Sequence, residues 1–441
     1  MNTIWSDAGI ARRNTLPGNC TTEIAVIGGG MAGILTAYYL QQKGKHVIVL
    51  EADRIGSGQT CGTTAKITSQ HNLIYQKLIK NLGIERARQY ATANQTAVLE
   101  YKRLIQRHSI FCGFEELPAY LYSTTVSEPL RREAEAARKL GIQADFITDI
   151  ELPFSVHGAL RFPNQAQFHP MEFLQMISMP LTVYENTRAI SVNGGKISTN
   201  HGTVTAKSIV FACHYPFLNV PGFYFAKMYQ KRSYVLALLH APRIHGMYLG
   251  IEKEGLSFRQ AEEYLLVGGR GHRTGESPKQ NPYKSLQSAA HHLFPDAQTA
   301  SHWSAQDCMS IDSVPYIGRF SALKPDWYVA TGFNKWGMTS SMVSAMLLSD
   351  LICGNPNPYQ EVFSPQRLNL KASFKDGASH FGKSVKGLLA GATKPPARCP
   401  HLGCRLVWNP AEHTWECPCH GSRFQHSGEL LNGPAQTNAR F

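Results

Sequence analysis

Four side chains of metal-binding type lie close together near the C-terminus of this 441-residue chain. One residue separates Cys399 from His401 and two separate Cys417 from His420, so that each of two short segments offers a thiolate and an imidazole. This donor set suits a [2Fe-2S] cluster in which two cysteines bind one iron and two histidines bind the other. It also suits tetrahedral zinc, which takes the same ligand types. The spacing therefore predicts a metal centre with two possible occupants.

Two further cysteines favour the iron–sulfur occupant. Cys404 and Cys419 stand at equivalent places in the two segments, and a four-ligand zinc site leaves both of them unexplained. There they resemble the cysteines of the disulfide that bridges the two cluster loops in the Rieske proteins of respiratory and photosynthetic cytochrome complexes. The resemblance implies a disulfide between Cys404 and Cys419. It also implies a Rieske-type [2Fe-2S] cluster held by Cys399, His401, Cys417 and His420.

Other residues extend this resemblance, and one departs from it. Ser422 matches a serine that donates a hydroxyl hydrogen bond to a bridging sulfide, and Gly433-Pro434-Ala435 resembles the family's proline loop. Phe424 stands where the high-potential members have a tyrosine whose hydroxyl bonds a ligand cysteine. Because such a donor stabilises the reduced, more negative cluster, its loss predicts a lower reduction potential.

A glycine-rich turn near the N-terminus joins a predicted strand to a predicted helix. Residues 23–27 form a short apolar run that stops at Gly28, and Gly28, Gly30 and Gly33 have the spacing G-x-G-x-x-G. Glu51 ends the next apolar run and completes a strand–helix–strand unit. In such a unit the glycines let the backbone approach a pyrophosphate at the helix N-terminus, and the carboxylate accepts hydrogen bonds from a ribose. These residues predict a dinucleotide site and leave NAD and FAD open.

A second strand, turn and helix follow near residue 330, and they favour FAD. The segment Thr331-Gly332-Phe333-Asn334-Lys335-Trp336-Gly337-Met338-Thr339 resembles the second flavin-contacting motif of the D-amino-acid oxidase superfamily, which includes glycine oxidase and sarcosine oxidase. In that family the last helix points its N-terminus at the flavin pyrimidine, where it stabilises the negative charge of the reduced ring. The resemblance covers about residues 20–355. It implies that FAD is contacted by Gly332, Gly337, Met338 and Thr339.

Two residues are candidates for a catalytic role. Lys66 follows Thr64 in a segment that matches the place where the superfamily's chain passes the flavin ring, so that Thr64 would contact FAD. Lys66 would then orient the substrate or favour the anionic reduced flavin, and the alternative is a surface lysine. Arg270 would clamp a substrate carboxylate, as an arginine does for amino-acid substrates. Its alternative is an ordinary turn arginine.

Three other residues are weaker candidates for contact with the flavin or the substrate. Cys308 resembles the flavin-linked cysteine of sarcosine oxidases but has a different spacing, and a lone cysteine is more often a packing residue. His214 and Tyr215 follow a predicted strand and are possible substrate-side groups.

Charge and composition exclude some classes of function. The formal net charge is +13, but no basic run of five or more residues occurs, so nucleic-acid binding is not expected. No apolar stretch approaches the roughly 20 residues that span a bilayer, and the opening segment does not combine a charged start, an apolar stretch and a small-residue cleavage site. Of ten cysteines, six are scattered singly, as in a reduced protein, and four lie within residues 399–419. We expect a cytoplasmic protein without a membrane span.

These features divide the chain into three parts. Residues 1–355 are predicted to form an α/β Rossmann-like FAD-binding domain, with its FAD-binding parts at about 20–80 and 305–355 and an α+β substrate domain between them. Residues 356–395 are predicted to be a linker with one short helix around 381–389. Residues 396–441 are predicted to be a small all-β, abbreviated Rieske segment that leans on the flavin domain, because so few residues hold little apolar core.

The preferred function is a flavin-dependent dehydrogenase or oxidase. It takes a hydride from a C–N bond of a small-molecule amine or amino acid and passes electrons singly to the cluster and on to an unidentified one-electron acceptor. An alternative is an electron-transfer module of the ferredoxin-reductase kind, which needs a second dinucleotide fold for NAD(P)H that the glycine spacing does not supply. A third is a tRNA-modifying flavoprotein, suggested by the net charge and by a relative within the superfamily.

Overall fold

The computed structural model describes residues 3–6, 8–276, 278, 280–367 and 397–440. In the first half of the chain the elements are β1 (Cys20–Ile27), α1 (Met31–Gln42), β2 (Val47–Leu50), β3 (Lys66–Ile67), α2 (Tyr75–Leu82), α3 (Ile84–Arg107), β4 (Glu115–Ser123), α4 (Glu128–Lys139), β5 (Asp145–Ile147), β6 (Gly158–Gln167), α5 (Pro170–Ser178), β7 (Thr182–Tyr184), β8 (Ala189–Asn193), β9 (Lys196–Thr199) and β10 (Gly202–Phe211).

The second half continues the numbering. Its elements are α6 (Tyr224–Lys227), β11 (Met228–Leu239), β12 (Met247–Gly250), β13 (Ser257–Ala261), β14 (Tyr264–Arg273), α7 (Pro282–Leu293), β15 (Gln298–Ser310), β16 (Tyr316–Ser321), β17 (Lys324–Thr331), α8 (Gly337–Ile352), α9 (Gln360–Phe363), β18 (Val407–Asn409), β19 (Thr414–Glu416), β20 (Arg423–Phe424) and β21 (Leu430–Asn432).

A mainly parallel sheet organises the first domain. Its strand order is β16-β17-β10-β1-β2-β7, and β9 and β8 extend it from β10. β1 is parallel to both β2 and β10, β10 is parallel to β17, and β2 is parallel to β7. Since the carboxyl ends of parallel strands share one edge, the turns after β1, β2, β10 and β17 gather there. Both glycine-rich turns predicted from the sequence are among them.

Helices α1 and α8 pack against each other beside this sheet. α1 is buried along most of its length, from Met31 to Leu40, which explains why its apolar residues are not confined to one face. α8 is buried from Met338 to Ser349 with few exceptions. The start of each helix therefore faces the carboxyl edge of the sheet, where N-terminal N–H groups are available to a ligand.

A second, mainly antiparallel sheet forms the other half of the first domain. Its strand order is β15-β11-β14-β13-β12-β4-β6-β3, with β5 paired to β6 and with β12 and β4 parallel. The long strands β11 and β15 pair over nearly their whole length, from the bond partners Met228 and Ser310 to Leu239 and Gln298. They occupy one edge region of this sheet, and both cofactor regions described below contact them.

The first domain extends past the predicted boundary at residue 355. α9 lies in the predicted linker, but its Val362 and Phe363 are only 1% exposed, and the Phe363 ring packs 5.7 Å from that of Tyr90. Arg367 forms a buried ion pair with Asp312 at 2.7 Å. Apolar residues and one arginine therefore attach residues 360–367 to the domain, whereas the division into domain, linker and Rieske segment stays a prediction. The predicted helix at 381–389 lies outside the described residues.

The C-terminal part is a small antiparallel sheet. Its strand order is β18-β19-β20-β21, and Arg398 forms isolated bridges to Arg405 and Arg440. Of the nine residues in its buried apolar cluster, four are cysteines, so that its own core is small. Within the described ranges, no helix is both long and apolar enough to cross a bilayer.

Candidate cluster and cofactor sites

Two loops of the C-terminal sheet have the same turn. Gly403 N donates to Cys399 O at 2.9 Å, and Gly421 N donates to Cys417 O at 2.9 Å. Gly403 and Gly421 have φ angles of 79° and 78°, a conformation that favours glycine. A hydrogen bond joins the thiols of Cys399 and Cys417. The repeated turn thus brings together two cysteines that are 18 residues apart.

The imidazoles of His401 and His420 lie on the other side of the same cage. Their ring centroids are 5.0 Å apart, and both Nδ1 atoms are buried without a hydrogen-bond partner in the described part of the chain. Burial lowers the pKa of His401 to about 4 and that of His420 to about 3, so both rings are neutral near pH 7. A neutral imidazole with a free Nδ1 is the form that binds a metal.

The thiols are also suited to metal binding. The hydrogen bond from Cys417 lowers the pKa of Cys399 to about 7, which favours a thiolate, and the same interaction raises the pKa of Cys417. The two thiols thus lie together, the two imidazoles with unpartnered Nδ1 atoms lie together, and all four residues belong to the same two loops. The residues present fit a cluster with two cysteine and two histidine ligands.

A disulfide closes the cage. Cys404 and Cys419 are bonded to each other, with their Cα atoms 6.6 Å apart, so that the two loops are covalently linked. The sulfurs of Cys404, Cys417 and Cys419 lie within 4.8 Å of one another, but the disulfide removes two of these as ligands. Ser422 Oγ accepts a hydrogen bond from Ala435 N at 3.1 Å and bonds the Cys399 thiol. Ser422 thus connects the proline loop to a cage cysteine.

The first domain covers the outer edges of both histidines. His401 Nε2 lies 2.6 Å from Asn219 Oδ1, and the His420 side chain hydrogen-bonds the backbone of Phe225. The rings of Tyr215 and Phe225 contact His420 edge to face, with centroids 6.2 and 6.1 Å away. With the remaining ring nitrogens held in this way, the Nδ1 atoms are directed into the cage.

A buried charge network joins the C-terminal segment to the first domain. Arg232 on β11 is fully buried, and its guanidinium lies 2.8 Å from Glu416 and 3.4 Å from Glu412. Arg423 also lies 3.0 Å from Glu412. Glu412 accepts further hydrogen bonds from Ser304 and Tyr283, both at 2.7 Å. These bonds satisfy the carboxylates, which is what allows charges to be buried.

Strands β11 and β15 present different sides to the two sites. On β11, Gln230 and Arg232 face the C-terminal segment, whereas the intervening Tyr229, Lys231 and Ser233 line a large cavity. Gln230 Nε2 donates to His420 O at 2.7 Å. β15 follows the same alternation: Gln306 Nε2 donates to Gly421 O at 2.8 Å and to Gln230 Oε1, and its neighbours Ala305 and Asp307 line the cavity. A single strand layer thus separates the cavity from the cluster cage.

The predicted dinucleotide turn has the geometry that its glycines require. Gly28 has a φ of 112°, and a Cβ at this residue would lie 2.5 Å from Ala212 O. A Cβ at Gly33 would lie 1.9 Å from Gly28 O, because α1 packs directly on the turn. Glu51 Oε2 accepts a hydrogen bond from Gly29 N at 2.5 Å, and burial raises the pKa of this carboxyl. Close backbone packing and a carboxylate at the end of β2 fit a dinucleotide.

A cavity of about 980 Å³ lies against the antiparallel sheet, beside the start of α8. Thr64 and Lys66 line it from one side, and Gly337 and Met338 line it at the start of α8. A Cβ at Gly337 would meet no atom within 4 Å, so the helix N-terminus opens into free space. A volume of this size, with a helix N-terminus at its edge, fits a flavin ring and a small substrate.

Comparison with known proteins identifies both parts of the chain. A sequence model of the DAO family, described as FAD dependent oxidoreductase, matches residues 23–351. A second model, the Rieske [2Fe-2S] domain, matches residues 395–440. The chain belongs to the FAD-dependent oxidoreductase family and ends in a Rieske domain. FAD and a [2Fe-2S] cluster are its cofactors, and the predicted fold class is confirmed.

Relatives agree with this assignment. The chain is 36% identical, over an alignment of 468 residues, to the putative Rieske 2Fe-2S iron-sulfur protein YhfW of Bacillus subtilis, covering 94% of this chain and 92% of that protein. Glycine oxidase from Geobacillus kaustophilus superposes with a TM-score of 0.66 and 20% identity, over 79% of this chain and 99% of its own. L-amino acid deaminase from Proteus vulgaris superposes with a TM-score of 0.65 and 16% identity, over 81% and 99%. At these identities the two structures show the fold alone.

Lys66 lines the cavity of the oxidoreductase domain, and its place beside the flavin ring stays a prediction. Its Nζ donates to Tyr248 O at 3.1 Å and to Ser257 Oγ. Burial lowers the pKa of Lys66 to about 7, and the charge of Arg259 contributes. The alternative of a surface lysine is therefore wrong, because Lys66 belongs to the cavity wall.

Arg270 also borders the cavity, but it already has a partner. Its Nη1 lies 2.8 Å from Glu254 Oε2, and its backbone has a φ of 55° within β14, at an irregularity in the pairing of β14 with β11. A guanidinium paired in this way is a poorer clamp for a substrate carboxylate than a free one. Arg270 thus lies in a strand rather than in a turn, and its role as a carboxylate clamp stays a prediction.

The predicted contacts on α8 divide into two groups. Gly337 and Met338 line the cavity, whereas Thr339 Oγ1 donates to Thr68 O at 3.2 Å and lies 3.1 Å from His71 Nε2. Gly332 has a φ of 70°, and a Cβ there would meet Tyr316 at 3.3 Å, so this glycine forms the turn. Thr339 and Gly332 therefore position the cavity wall rather than line it.

Three weaker candidates lie away from the cavity lining. The Cys308 thiol is buried 3.6 Å from Met228 Sδ, which is the packing role expected of a lone cysteine. His214 O accepts a hydrogen bond from Thr331 Oγ1 at 2.5 Å, and Tyr215 faces the cluster cage. The substrate-side predictions for His214 and Tyr215 are not supported by this placement.

Several residues of these sites have no sequence signal. Thr60 Oγ1 caps α1 by accepting from Met31 N at 3.0 Å. The His71 ring stacks on Trp336 with centroids 4.7 Å apart, just before α8, and burial lowers its pKa to about 3. Asn219 and Gln230 reach the cage from a distance of more than 180 residues along the chain. Neither spacing nor periodicity marks such partners.

The cage predicts which cysteines carry the iron. Replacing Cys417 with Ser removes one thiolate, and we expect loss of iron, of the cluster's visible absorption and of its electron paramagnetic resonance signal in the reduced protein. Cys112→Ser, at a buried cysteine outside the cage, serves as the matched control and should keep all three. Stoichiometric zinc in the purified wild-type protein, in place of iron, would contradict the assignment.

The charge network predicts a large cost for one buried substitution. Arg232→Met leaves Glu416 with less compensation, and breaking a buried pair in this way costs about 3–5 kcal/mol. Denaturant unfolding should show that loss, together with faster proteolysis between the two domains. Arg88→Met, at an exposed pair with Glu85, should change stability by about 1 kcal/mol or less. Equal effects of the two substitutions would show that the network does not hold the domains together.

Proposed function

We propose that the chain oxidises a C–N bond of an amine or amino acid in the cavity and that the electrons leave singly through the Rieske cluster. When bound, FAD accepts a hydride and the [2Fe-2S] cluster carries one electron at a time. The observation that carries the proposal is the shared strand layer, which has Lys231 on the cavity side and Gln230 and Arg232 on the cluster side. Such an arrangement suits a two-electron site that is reoxidised by a one-electron carrier.

The substrate class rests on family and on charge. The superposed glycine oxidase and L-amino acid deaminase are named for reactions on amino acids. The charge of the cavity lining also suits an anionic substrate. Seven lysine or arginine residues contribute to the lining against three carboxylate residues. Burial also raises the pKa of Asp307, the carboxyl group that lines the cavity from β15. A positive cavity attracts a carboxylate-bearing amine.

Lys66 is the residue that we assign to substrate orientation. Its amine donates to Tyr248 O and Ser257 Oγ, and neither acceptor is a carboxylate, so its charge is available to a substrate. With a pKa of about 7, Lys66 is an ammonium group below that pH and a neutral amine above it. The first domain, which we place at residues 1–367, would perform the oxidation, and residues 396–441 would carry the outlet.

Anaerobic stopped-flow spectroscopy with a panel of amines and amino acids tests the function. We expect at least one amine to bleach the flavin absorption and the reduced-cluster resonance signal to follow. Bleaching by NADH or NADPH, with no response to any amine, would instead support the electron-transfer module. If the flavin bleaches while the cluster stays oxidised, the result would contradict electron transfer to the cluster but not oxidation of the amine.

The lysine gives a prediction about pH. For an amino-acid substrate, KM should rise as the pH passes upward through about 7, because the Lys66 ammonium group loses its proton. Lys66→Met should raise KM about tenfold at pH 6, the worth of one charge-assisted hydrogen bond, and should flatten the profile. Lys102→Met, at an exposed lysine paired with Glu116, is the control and should keep the wild-type profile. An unchanged profile in Lys66→Met would remove Lys66 from this role.

A further inference from the structure

Tyr215 has a buried hydroxyl without a partner. The residue follows β10 at the carboxyl edge of the parallel sheet and is 3% exposed. Its hydroxyl is shielded from solvent and makes no hydrogen bond to any residue in the described ranges. Leaving such a group unsatisfied costs about 1–3 kcal/mol, so a buried phenol of this kind indicates an acceptor supplied by a bound group.

The side chain faces the cluster cage. The Tyr215 ring lies 6.2 Å from that of the cage residue His420, at an interplanar angle of 63°. Burial raises the pKa of Tyr215, and electrostatic interactions with Cys308 and with the cage residue Cys417 add to the rise. The phenol therefore lies close to His420 and Cys417, the two predicted ligands in the second cluster loop. It belongs to the part of the cage wall that the first domain supplies.

The same loop already holds both imidazoles. Asn219 lies 2.6 Å from His401 Nε2, and the backbone of Phe225 bonds the His420 side chain. The loop from residue 213 to residue 225 thus supplies outer partners to the cage from outside the Rieske domain. In this loop the described side chains of His214 and Tyr215 both have a buried polar atom without a partner, and Tyr215 is the one whose ring contacts His420.

The Rieske domain offers no phenol of its own at the matching place. Phe424 is fully buried in the same apolar cluster as Cys399 and Cys417, and it carries no hydroxyl. Ser422 bonds Cys399, so the side of the cage near Cys417 is the one that lacks a side-chain donor among these residues.

We propose that the Tyr215 hydroxyl donates a hydrogen bond to a sulfur of the bound cluster or of its Cys417 ligand, so that the flavin domain tunes the reduction potential of the Rieske cluster. A donor to this sulfur stabilises the reduced, more negative state and raises the potential. Tyr215 is a positioning residue of the cluster in this scheme. The inference depends on the [2Fe-2S] cofactor and not on the amine substrate.

The test is a redox titration of the full-length holoprotein, followed by resonance spectroscopy for the cluster and by absorption for the flavin. In Tyr215→Phe we expect a lower cluster potential with unchanged flavin potential and iron content. Tyr122→Phe is the matched control, since it removes the hydroxyl of another buried tyrosine, which donates to Leu256 O at 2.9 Å. This control should shift neither potential.

A second variant tests the direction independently. Phe424→Tyr places a phenol inside the Rieske domain, and it should raise the cluster potential in the Tyr215→Phe background. A shift of the flavin potential alone in Tyr215→Phe would assign the hydroxyl to FAD and overturn the proposal. If neither potential changes in Tyr215→Phe, Tyr215 is a packing residue. If Tyr215→Phe loses iron while Tyr122→Phe keeps it, Tyr215 has a structural role. Either result would overturn the proposal as well.

Discussion

The ion network around Arg232 determines how the two domains of this protein meet. Its guanidinium is fully buried between Glu412 and Glu416, and both carboxylates belong to the C-terminal segment. A buried pair adds little stability relative to an apolar contact, but an unpaired buried charge is very costly. Any other docking of the segment would leave Arg232 or Glu416 without its partner. The network therefore selects one orientation, and the cage geometry depends on it.

This constraint compensates for the size of the Rieske domain. With only nine residues in its buried apolar cluster, four of them cysteines, the segment has little core with which to exclude water from a cluster. The disulfide between Cys404 and Cys419 links its two loops, and the first domain covers the outer nitrogens of His401 and His420. The cage is consequently a product of two segments about 180 residues apart in sequence.

This separation along the chain limits which parts of the cage could be predicted from the sequence. Residues within one turn or one loop have fixed spacings, so Gly28, Gly33, Cys399 and His420 could be recognised in a linear pattern. The sequence could not identify the cage partners Asn219, Gln230 and Tyr215, because nothing in their local sequence distinguishes a residue facing a cofactor cage from one facing water. It also could not show that the chain near Arg367 packs on the first domain.

Strand β11 shows the physical reason most clearly. Its residues Tyr229, Gln230, Lys231, Arg232 and Ser233 are all polar or amphipathic, which is typical of a strand at the surface. In the structure Gln230 and Arg232 are buried against the Rieske domain, and the other three border the flavin cavity. A strand between two polar sites needs polar groups on both faces, so it loses the apolar alternation by which a buried strand is recognised. The least core-like stretch of the sheet is thus the one that lies between the cavity and the Rieske domain.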